Sequence, residues 1–354
     1  MSSHLKRGRA RHRAAVGAGV LLVLCALLAA AGCLPQSPVE TKGTQRTITL
    51  YGFSVMKESL EKAVFPAFAA TWKAEHGEEV NFVTSFAGSE TVTNQILQGV
   101  DADVAVLSIE RDVDRLVQGG FVKQDWRERG SRGIVNKTPF VILVRKGNPK
   151  NVRDFADLAR PGVRLIHPDP VSSGGAMWSI LAMYGSELVK SEAETGGRDQ
   201  ARALQTLQSI WRNVFSTPGS AREARTQFEL GHGDALITYE LEGMLMREAG
   251  APVEVVVPRS TIFSEHPAVI VDRNVTAEER AAVEAFADYL WGAEAQAAFV
   301  KYHFRSVTDD ALNDANPGFA RIELPFTVEL FGGWARAYPE IIEGVWRDKA
   351  QKKK

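Results

Sequence analysis

The chain has 354 residues, of which 45% are hydrophobic and 24% are charged. These are ordinary globular values that exclude a disordered chain and a polytopic membrane protein, and the length suits two domains. The formal net charge is −1, but five of the 42 basic residues and none of the 43 acidic residues precede position 33. The remaining body is therefore mildly acidic and lacks a basic stripe, which excludes nucleic acid as a partner.

The N-terminal segment has the pattern of an export signal, with a basic stretch over residues 1–13 and an uncharged run of 19 residues over 14–32. Cys33 follows Ala-Gly and resembles the lipidated cysteine of bacterial lipoproteins, although Ala30 stands where leucine is usual. We predict a lipoprotein-type signal over 1–32, a tether over 33–45, lipidation of Cys33 and a location on the periplasmic side of the cytoplasmic membrane or at the cell surface. An uncleaved membrane anchor and plain secretion into the periplasm are the alternatives.

The body contains no cysteine, because Cys25 and Cys33 are the only two in the chain. This excludes a disulfide and a thiolate metal site from the folded part. Five histidines remain after the signal, and none has the paired spacing of a metal site. We predict neither a metal nor a cofactor.

From residue 46 onward, strand-like and helix-like segments alternate. Repeated β-α-β alternation predicts an α/β fold with mostly parallel sheets covered by helices on both faces. Helical periodicity is seen over 56–76, 90–98 and 276–302. The strand-like segments are residues 47–51, 80–85, 103–107, 139–144, 163–166, 234–239 and 253–257.

Two apolar extended stretches, residues 140–144 and 255–271, are suited to carry the chain between two sheets. We therefore predict one lobe from residues 46–139 and 262–354 and a second lobe from residues 140–261. Ligands of open α/β sheets bind beyond the carboxyl ends of the strands, so the cleft between the lobes is the expected site.

Three strand-to-helix turns combine small residues, a hydroxyl group and a helix start, namely residues 85–89, 168–176 and 218–222. Backbone amides at a helix N-terminus favour an anion, because they lack intrahelical partners and the helix dipole supports them. Each turn taken alone also fits an ordinary cap or loop. Their recurrence in one chain favours a cleft that closes over an anion.

The order of these motifs resembles that of the bacterial periplasmic sulfate- and thiosulfate-binding proteins of ABC importers. The resemblance runs from about residue 47 to 334, and its other motifs are residues 140–150, Gly233-Asp234 and residues 331–334. It implies a type II periplasmic-binding-protein fold, two lobes with a two-crossover hinge, no enzymatic activity, and a monomer that delivers sulfate or thiosulfate to a membrane permease and its ATPase. The implied ligand residues, all neutral, are Ser54, Ser89, Ser173, Gly174, Gly175, Ala221 and Tyr239.

The chain departs from the family pattern at four positions. Glu90 replaces the usual glycine and Tyr239 the usual tryptophan, and each new side chain can accept a proton from hydrogen phosphate. Glu90 is therefore a candidate selectivity residue, or alternatively a first-turn acid pointing to solvent. Tyr239 is interpreted more simply as a donor that replaces the tryptophan. Ser54 and Met177 stand where the family has aspartate and arginine, so we predict that an ion pair behind the ligand has been lost as a unit.

Two other functions stay open from the sequence. The site residues also fit another tetrahedral oxyanion, phosphate or molybdate. A more distant alternative is a serine hydrolase with Ser173 as nucleophile and His167 nearby, although the sequence lacks the Gly-x-Ser-x-Gly elbow of such enzymes.

Overall fold

The computed structural model describes residues 45–351, in which ten strands alternate with helices. All seven predicted strand-like segments overlap strands; β9 lies in the predicted extended stretch 255–271, and β6 and β10 are additional. The strands are β1 (Gln45–Phe53), β2 (Glu79–Ala87), β3 (Val104–Val106), β4 (Ile134–Arg145), β5 (Leu165–Ile166), β6 (Val214–Ser216), β7 (Ala235–Tyr239), β8 (Val253–Val256), β9 (Ser260–Ile270) and β10 (Leu324–Phe326).

Helices form most of the connections between these strands. Short helical turns over Ser54–Met56, Lys57–Ser59 and Leu60–Val64 lead into α1, and a π-type helix, Tyr338–Ala350, follows the last α-helix. The α-helices are α1 (Phe65–His76), α2 (Ser89–Leu97), α3 (Glu110–Gln118), α4 (Gly174–Thr195), α5 (Gln200–Arg212), α6 (Ala221–Glu229), α7 (Glu240–Glu248), α8 (Arg280–Tyr289), α9 (Ala293–Lys301), α10 (Asp310–Asp314) and α11 (Trp334–Ala337).

The prediction of one helix over residues 276–302 is wrong. α8 ends at Tyr289, and α9 begins only at Ala293. Gly292, which precedes α9, has an extended conformation (φ −67°, ψ 156°), and this interrupts the helix. The apolar periodicity continues across the break because both helices bury one face against the same core.

The strands form two groups. In the first strand group, β1 pairs in parallel with β2 and β3, and the end of β9 pairs with β3. In the second strand group, β5 pairs in parallel with β6 and β7, while the second half of β4 pairs with β7 and β8. The parallel strands of each group therefore direct their carboxyl ends to one edge.

The long strands β4 and β9 connect the two groups. They run antiparallel, with Thr138 opposite Ser264, before each continues into its own group. They contain parts of both extended stretches that the sequence suggested as crossings. The described residues belong to one compact unit, and the lobe boundaries after residues 139 and 261 stay a prediction.

The core lies between the strands and the helices that pack on them. In β1, Ile48 and Leu50 are fully buried on one face, and the helices cover them as expected for a parallel sheet. Within residues 45–351, no helix combines the length and the apolar character that crossing a membrane requires. The predicted signal, most of the tether, and Cys33 lie outside the described residues.

Candidate functional site

The predicted ligand residues lie at the carboxyl ends of strands in both groups. In the first strand group, Ser54 directly follows β1 and Ser89 follows β2. In the second strand group, Ser173 follows β5, Ala221 follows β6, and Tyr239 is the last residue of β7. This is the edge at which open α/β sheets bind their ligands, and all five residues are buried.

The three candidate turns meet in space. A Cβ atom added to Gly88, in the turn after β2, would overlap the carbonyl oxygen of Ser172 and lie 2.8 Å from that of Gly219. The Ser172 hydroxyl also donates a hydrogen bond of 2.7 Å to the Gly219 carbonyl oxygen. The structure thus brings together three turns that are distant in sequence, with Gly88 and Gly219 131 positions apart.

The N-terminus of α4 lies against residues of both strand groups. A Cβ atom on Gly174 would lie 2.8 Å from Ser108 Cβ, and one on Gly175 would lie 2.7 Å from the Tyr239 hydroxyl oxygen. Ser173 occupies the N-cap position, but its side chain makes no capping hydrogen bond. The hydroxyl of Ser173 and the first amides of α4 are therefore suited to donate to a small anion.

The N-terminus of α6 is capped by a different residue from the one predicted to bind. The Ser220 side chain accepts a hydrogen bond from the amide of Glu223, and Ala221 is the first residue of the helix. The amide of Ala221 has no intrahelical acceptor at that position. The amide of Ser54 likewise begins a helical turn and has no intrahelical acceptor, since Phe53 before it is extended.

Ser89 uses its hydroxyl within the protein. The hydroxyl donates to Asp112 Oδ2 over 2.5 Å and accepts a hydrogen bond of 2.9 Å from the amide of Ser108. A serine hydroxyl has only one proton, so that of Ser89 is committed to Asp112. The donor that Ser89 can offer a ligand is therefore its main-chain amide at the start of α2.

Asp112 lies behind Ser89 and is completely buried. Burial raises the pKa of its carboxyl well above the usual range, and the neighbouring Glu90 raises it further, while the Ser89 hydroxyl and two arginines act in the opposite direction. The Ser89 hydroxyl is thus held by a fully buried carboxyl group whose pKa is raised.

Glu90 is not a first-turn acid that points to solvent. Its side chain is 9% exposed, one carboxylate oxygen lies 2.5 Å from Arg111 Nη1, and the other is paired with Arg115. The Arg111 guanidinium in turn stacks on the Tyr338 ring at 3.5 Å. Both arginines contact the Glu90 carboxylate, so a ligand proton would have to compete with them for its oxygens. The selectivity role of Glu90 remains a prediction.

Met177 lines the same cavity as Glu90, Arg111 and Arg115. It is 2% exposed. Ser54 and Met177 are both buried, and because neither side chain is charged, neither position needs an ion-pair partner. This arrangement is compatible with the predicted loss of an ion pair as a unit, which stays a hypothesis.

Ser108 is a residue that the sequence reasoning missed. It follows β3 and is 1% exposed, and its hydroxyl oxygen lies 2.8 Å from that of Tyr239. Its carbonyl oxygen accepts a hydrogen bond of 2.7 Å from Trp178 Nε1. The detectable signal was the hydroxyl residue at the end of the predicted strand 103–107, the same pattern that marked Ser89.

Tyr239 is held rigidly. Its ring contacts Phe140 at a centroid distance of 4.6 Å and His266 at 5.5 Å. Burial raises the pKa of the Tyr239 hydroxyl well above its ordinary value, against the opposing effect of the hydrogen bond to Ser108. The phenol therefore keeps its proton at neutral pH.

An ion pair crosses between the strand groups beside Ala221. The Arg222 guanidinium contacts both carboxylate oxygens of Glu58, with Nη2 at 2.7 Å from Oε2, and donates over 2.8 Å to the fully buried Glu242. Burial opposes the charge on Arg222, but Glu242 and Glu58 outweigh it and raise the pKa of the guanidinium. Glu58 belongs to the segment after β1, so this pair links the first group to α6 and α7.

The geometry gives no support to a Ser173–His167 pair. The His167 ring places Nδ1 at 2.6 Å from the Pro168 carbonyl oxygen and Nε2 at 2.5 Å from the Ser179 hydroxyl. Both ring nitrogens are thus engaged by groups other than Ser173. Among residues 45–351, no three His, Cys, Asp or Glu side chains cluster in the manner of a metal site.

A comparison with protein families agrees with this architecture. Residues 55–305 match the model of the family described as bacterial extracellular solute-binding protein. The sulfate-binding protein of Synechococcus elongatus is 34% identical over 92% of this chain and 92% of its own length. The chain belongs to this family of bacterial extracellular solute-binding proteins, among its sulfate- and thiosulfate-binding members.

Two further relatives support the assignment. The thiosulfate-binding protein of Escherichia coli K12 is 34% identical, over 82% of this chain and 85% of its own length. The solved structure of the sulfate-binding protein SubI from Mycobacterium tuberculosis H37Rv superposes with a TM-score of 0.75 at 33% identity, covering 83% of this chain and 99% of SubI. The predicted α/β, type II periplasmic-binding-protein fold is confirmed.

Proposed function

We propose that this solute-binding protein captures sulfate or thiosulfate between its two strand groups and delivers it to the permease and ATPase of an ABC importer. The observation that carries the proposal is the meeting of uncharged donors from both groups at one buried edge, against the N-terminus of α4. The names of the relatives point to the same ligands. Phosphate and molybdate are the alternative ligands, and the proposal assigns the protein no enzymatic activity.

Neutral donors are sufficient for such an anion. A dianion that leaves water loses a large hydration energy, which several well-directed hydrogen bonds must replace. Hydrogen bonds to a charged group contribute about 1.5 to 3 kcal/mol each, whereas micromolar affinity corresponds to about 8 kcal/mol. The seven predicted ligand residues therefore supply enough donors without a lysine or an arginine.

Titration calorimetry of the mature protein with sulfate, thiosulfate, molybdate and phosphate tests the proposal. We expect the first two anions to bind most tightly, and absence of binding to all four would overturn it. Ser173→Ala is expected to weaken sulfate binding by about tenfold, because a hydrogen bond to a charged group is lost. Ser209→Ala in α5 is the control, since its hydroxyl serves only the side chain of Arg212 among the described contacts.

The two-lobed arrangement belongs to the same proposal. We assign residues 46–139 and 262–354 to one lobe and 140–261 to the other, in a monomer that closes on the anion. Small-angle scattering with and without sulfate is expected to show a smaller radius of gyration in the bound form at monomeric mass. An unchanged radius at saturating sulfate would contradict the closure.

The protein is proposed to reach its permease while anchored through a lipid on Cys33. This proposal relies on the basic segment, the uncharged run and the Ala-Gly-Cys sequence at the end of the signal. Cys33→Ser is expected to move the protein from the membrane fraction to the soluble fraction and to abolish labelling by a palmitate analogue. Retention of the variant in membranes would favour the uncleaved anchor, and a soluble wild-type protein would favour plain secretion.

A further inference from the structure

Ser108 lies at the point where the two strand groups and the proposed anion site meet. Its amide donates to Ser89 in its own group over 2.9 Å, and its carbonyl oxygen accepts from Trp178 of α4 over 2.7 Å. Its hydroxyl oxygen lies 2.8 Å from that of Tyr239, at the end of β7. Two of these three hydrogen bonds therefore join Ser108 to the second strand group.

The Ser108 hydroxyl also lies against the helix start that is expected to bind the anion. A Cβ atom added to Gly174 would be 3.0 Å from Ser108 Oγ. A Cβ atom added to Gly175 would be 2.7 Å from the Tyr239 hydroxyl oxygen. The two hydroxyls are therefore neighbours of the first two residues of α4 as well as of each other.

The Ser108 and Tyr239 hydroxyls together can donate one hydrogen bond to a ligand. The two hydroxyls have two protons, and one of them lies in the hydrogen bond between the oxygens. Either hydroxyl can be the donor in that bond. The second proton is then free to point to an unprotonated oxyanion, so the pair acts as one donor. An indole at position 239 would also supply one donor, but it could never accept.

The pair can also accept a proton, which a single hydroxyl cannot do without a cost. If a ligand hydroxyl donates to Tyr239, the phenol proton can be donated to Ser108 and the serine proton to another oxygen of the same anion. If the ligand donates to Ser108 instead, the serine proton can be donated to Tyr239 and the phenol proton to another oxygen of the anion. When one of the two hydroxyls is missing, the remaining proton loses this acceptor, and a buried unpaired donor costs about 1 to 3 kcal/mol.

Two other acceptors at this edge, Ser89 and Glu90, already have partners. The Ser89 hydroxyl oxygen accepts from the amide of Ser108, and its proton is donated to Asp112. The Glu90 carboxylate is paired with Arg111 and Arg115. Neither Ser89 nor Glu90 therefore offers the ligand an acceptor in place of the hydroxyl pair.

We propose that Ser108 is a specificity-determining residue, which together with Tyr239 allows the site to bind tetrahedral oxyanions that retain one proton, such as hydrogen phosphate, as well as fully deprotonated ones such as sulfate. The inference rests on the proposed function, because it concerns the same anion site. It adds the chemical class of the ligand and a residue that contacts it.

The test is titration calorimetry at pH 7.5 or above with sodium sulfate and sodium phosphate, on the wild-type protein, Ser108→Ala and Tyr239→Phe. We expect the wild-type protein to bind both anions. In each single variant, the ratio of the phosphate Kd to the sulfate Kd is expected to rise about tenfold, because only the protonated ligand needs both hydroxyls. In the double variant, sulfate affinity is expected to fall about tenfold as well, since no hydroxyl donor remains.

Ser191→Ala is the matched control. Ser191 is a buried serine of α4 that donates to the Leu188 carbonyl oxygen, about 25 Å along the helix from its N-terminus. Its removal is expected to leave the Kd ratio unchanged. Thermal unfolding of each variant verifies folding, and the two single variants test the pair independently if one of them fails to fold.

Each outcome has a defined meaning. A Kd ratio that does not change in either folded single variant overturns the role of Ser108. A wild-type protein that binds sulfate but not phosphate also overturns the inference, while it leaves the proposed function intact. A wild-type protein that binds neither anion, nor thiosulfate or molybdate, overturns the proposed function itself.

Discussion

Gly174→Ala is expected to weaken anion binding by about tenfold to 100-fold while it changes the stability of the ligand-free protein little. The new methyl group would lie 2.8 Å from Ser108 Cβ and 3.2 Å from Ser89 Cβ. Both neighbours belong to the first strand group, whereas Gly174 begins α4 in the second. The overlap therefore opposes the approach of the two groups, at a cost of about 1 to 3 kcal/mol.

The free protein is expected to avoid this overlap by separating the groups. Calorimetric titration with sulfate, together with thermal unfolding without ligand, distinguishes this effect from a general loss of folding. Gly197→Ala is the matched control, because a Cβ atom at Gly197 would have no heavy atom within 4 Å. A Gly174→Ala protein that binds sulfate within threefold of the wild-type affinity would show that this contact does not limit the bound form.

Arg222→Met is expected to lower the free energy of unfolding by about 3 kcal/mol at pH 7. The variant keeps an apolar stem but removes the cation that pairs with Glu58 and with the fully buried Glu242. Glu242 would retain only Arg225, whose Nη1 lies at 3.1 Å. Removing one partner of a buried ion pair typically costs about 3 to 5 kcal/mol, and the partial exposure of Arg222 places the effect at the lower end.

The effect of this variant depends on pH in a defined direction. Burial already raises the pKa of the Glu242 carboxyl, and Arg222 is the first of the charges that lower it again. Without Arg222 the folded protein binds a proton at Glu242 more tightly than the unfolded chain does. The loss of stability therefore increases as the pH rises above about 4 and becomes smaller toward acid pH.

Urea unfolding at pH 5 and pH 7 measures both features. The double variant Arg222→Met/Glu242→Gln is expected to recover much of the loss, because it no longer buries an uncompensated carboxylate. Arg336→Met is the control, since Arg336 is exposed and pairs with Glu340 one helical turn away, where solvent screening leaves an ion pair with little effect on stability. Equal losses in Arg222→Met and Arg336→Met would contradict the structural role of the buried pair.

The order of strands, helices and turns along the chain could be predicted from the sequence. Alternating strands and helices predicted the α/β fold, and the small residues with hydroxyls at the strand ends predicted which turns would meet. These features are local, because a strand needs a few consecutive apolar residues and a helix start needs a capping position. The helix over 276–302 was wrong because periodicity does not reveal that Gly292 interrupts it.

The hydrogen-bond and ion-pair partners of individual site residues could not be predicted from local sequence. Glu90 has the sequence position of a first-turn acid, yet it is buried against arginines more than 20 residues later in the chain. Ser108 follows a strand of only three residues, and no glycine after it marked a close approach. Its importance depends on Tyr239, which is 131 residues away.

The sequence alone therefore determined the order of most elements and the absence of cysteine from the body, and it predicted the export signal and the edge at which a ligand is expected. The tertiary structure decided which donors are free and which are committed. It showed that the Ser89 proton is directed to Asp112 and that the hydroxyls of Tyr239 and Ser108 are hydrogen-bonded to each other. The physical reason is that a hydroxyl has a single proton, and its direction is set by neighbours that folding brings from distant parts of the chain.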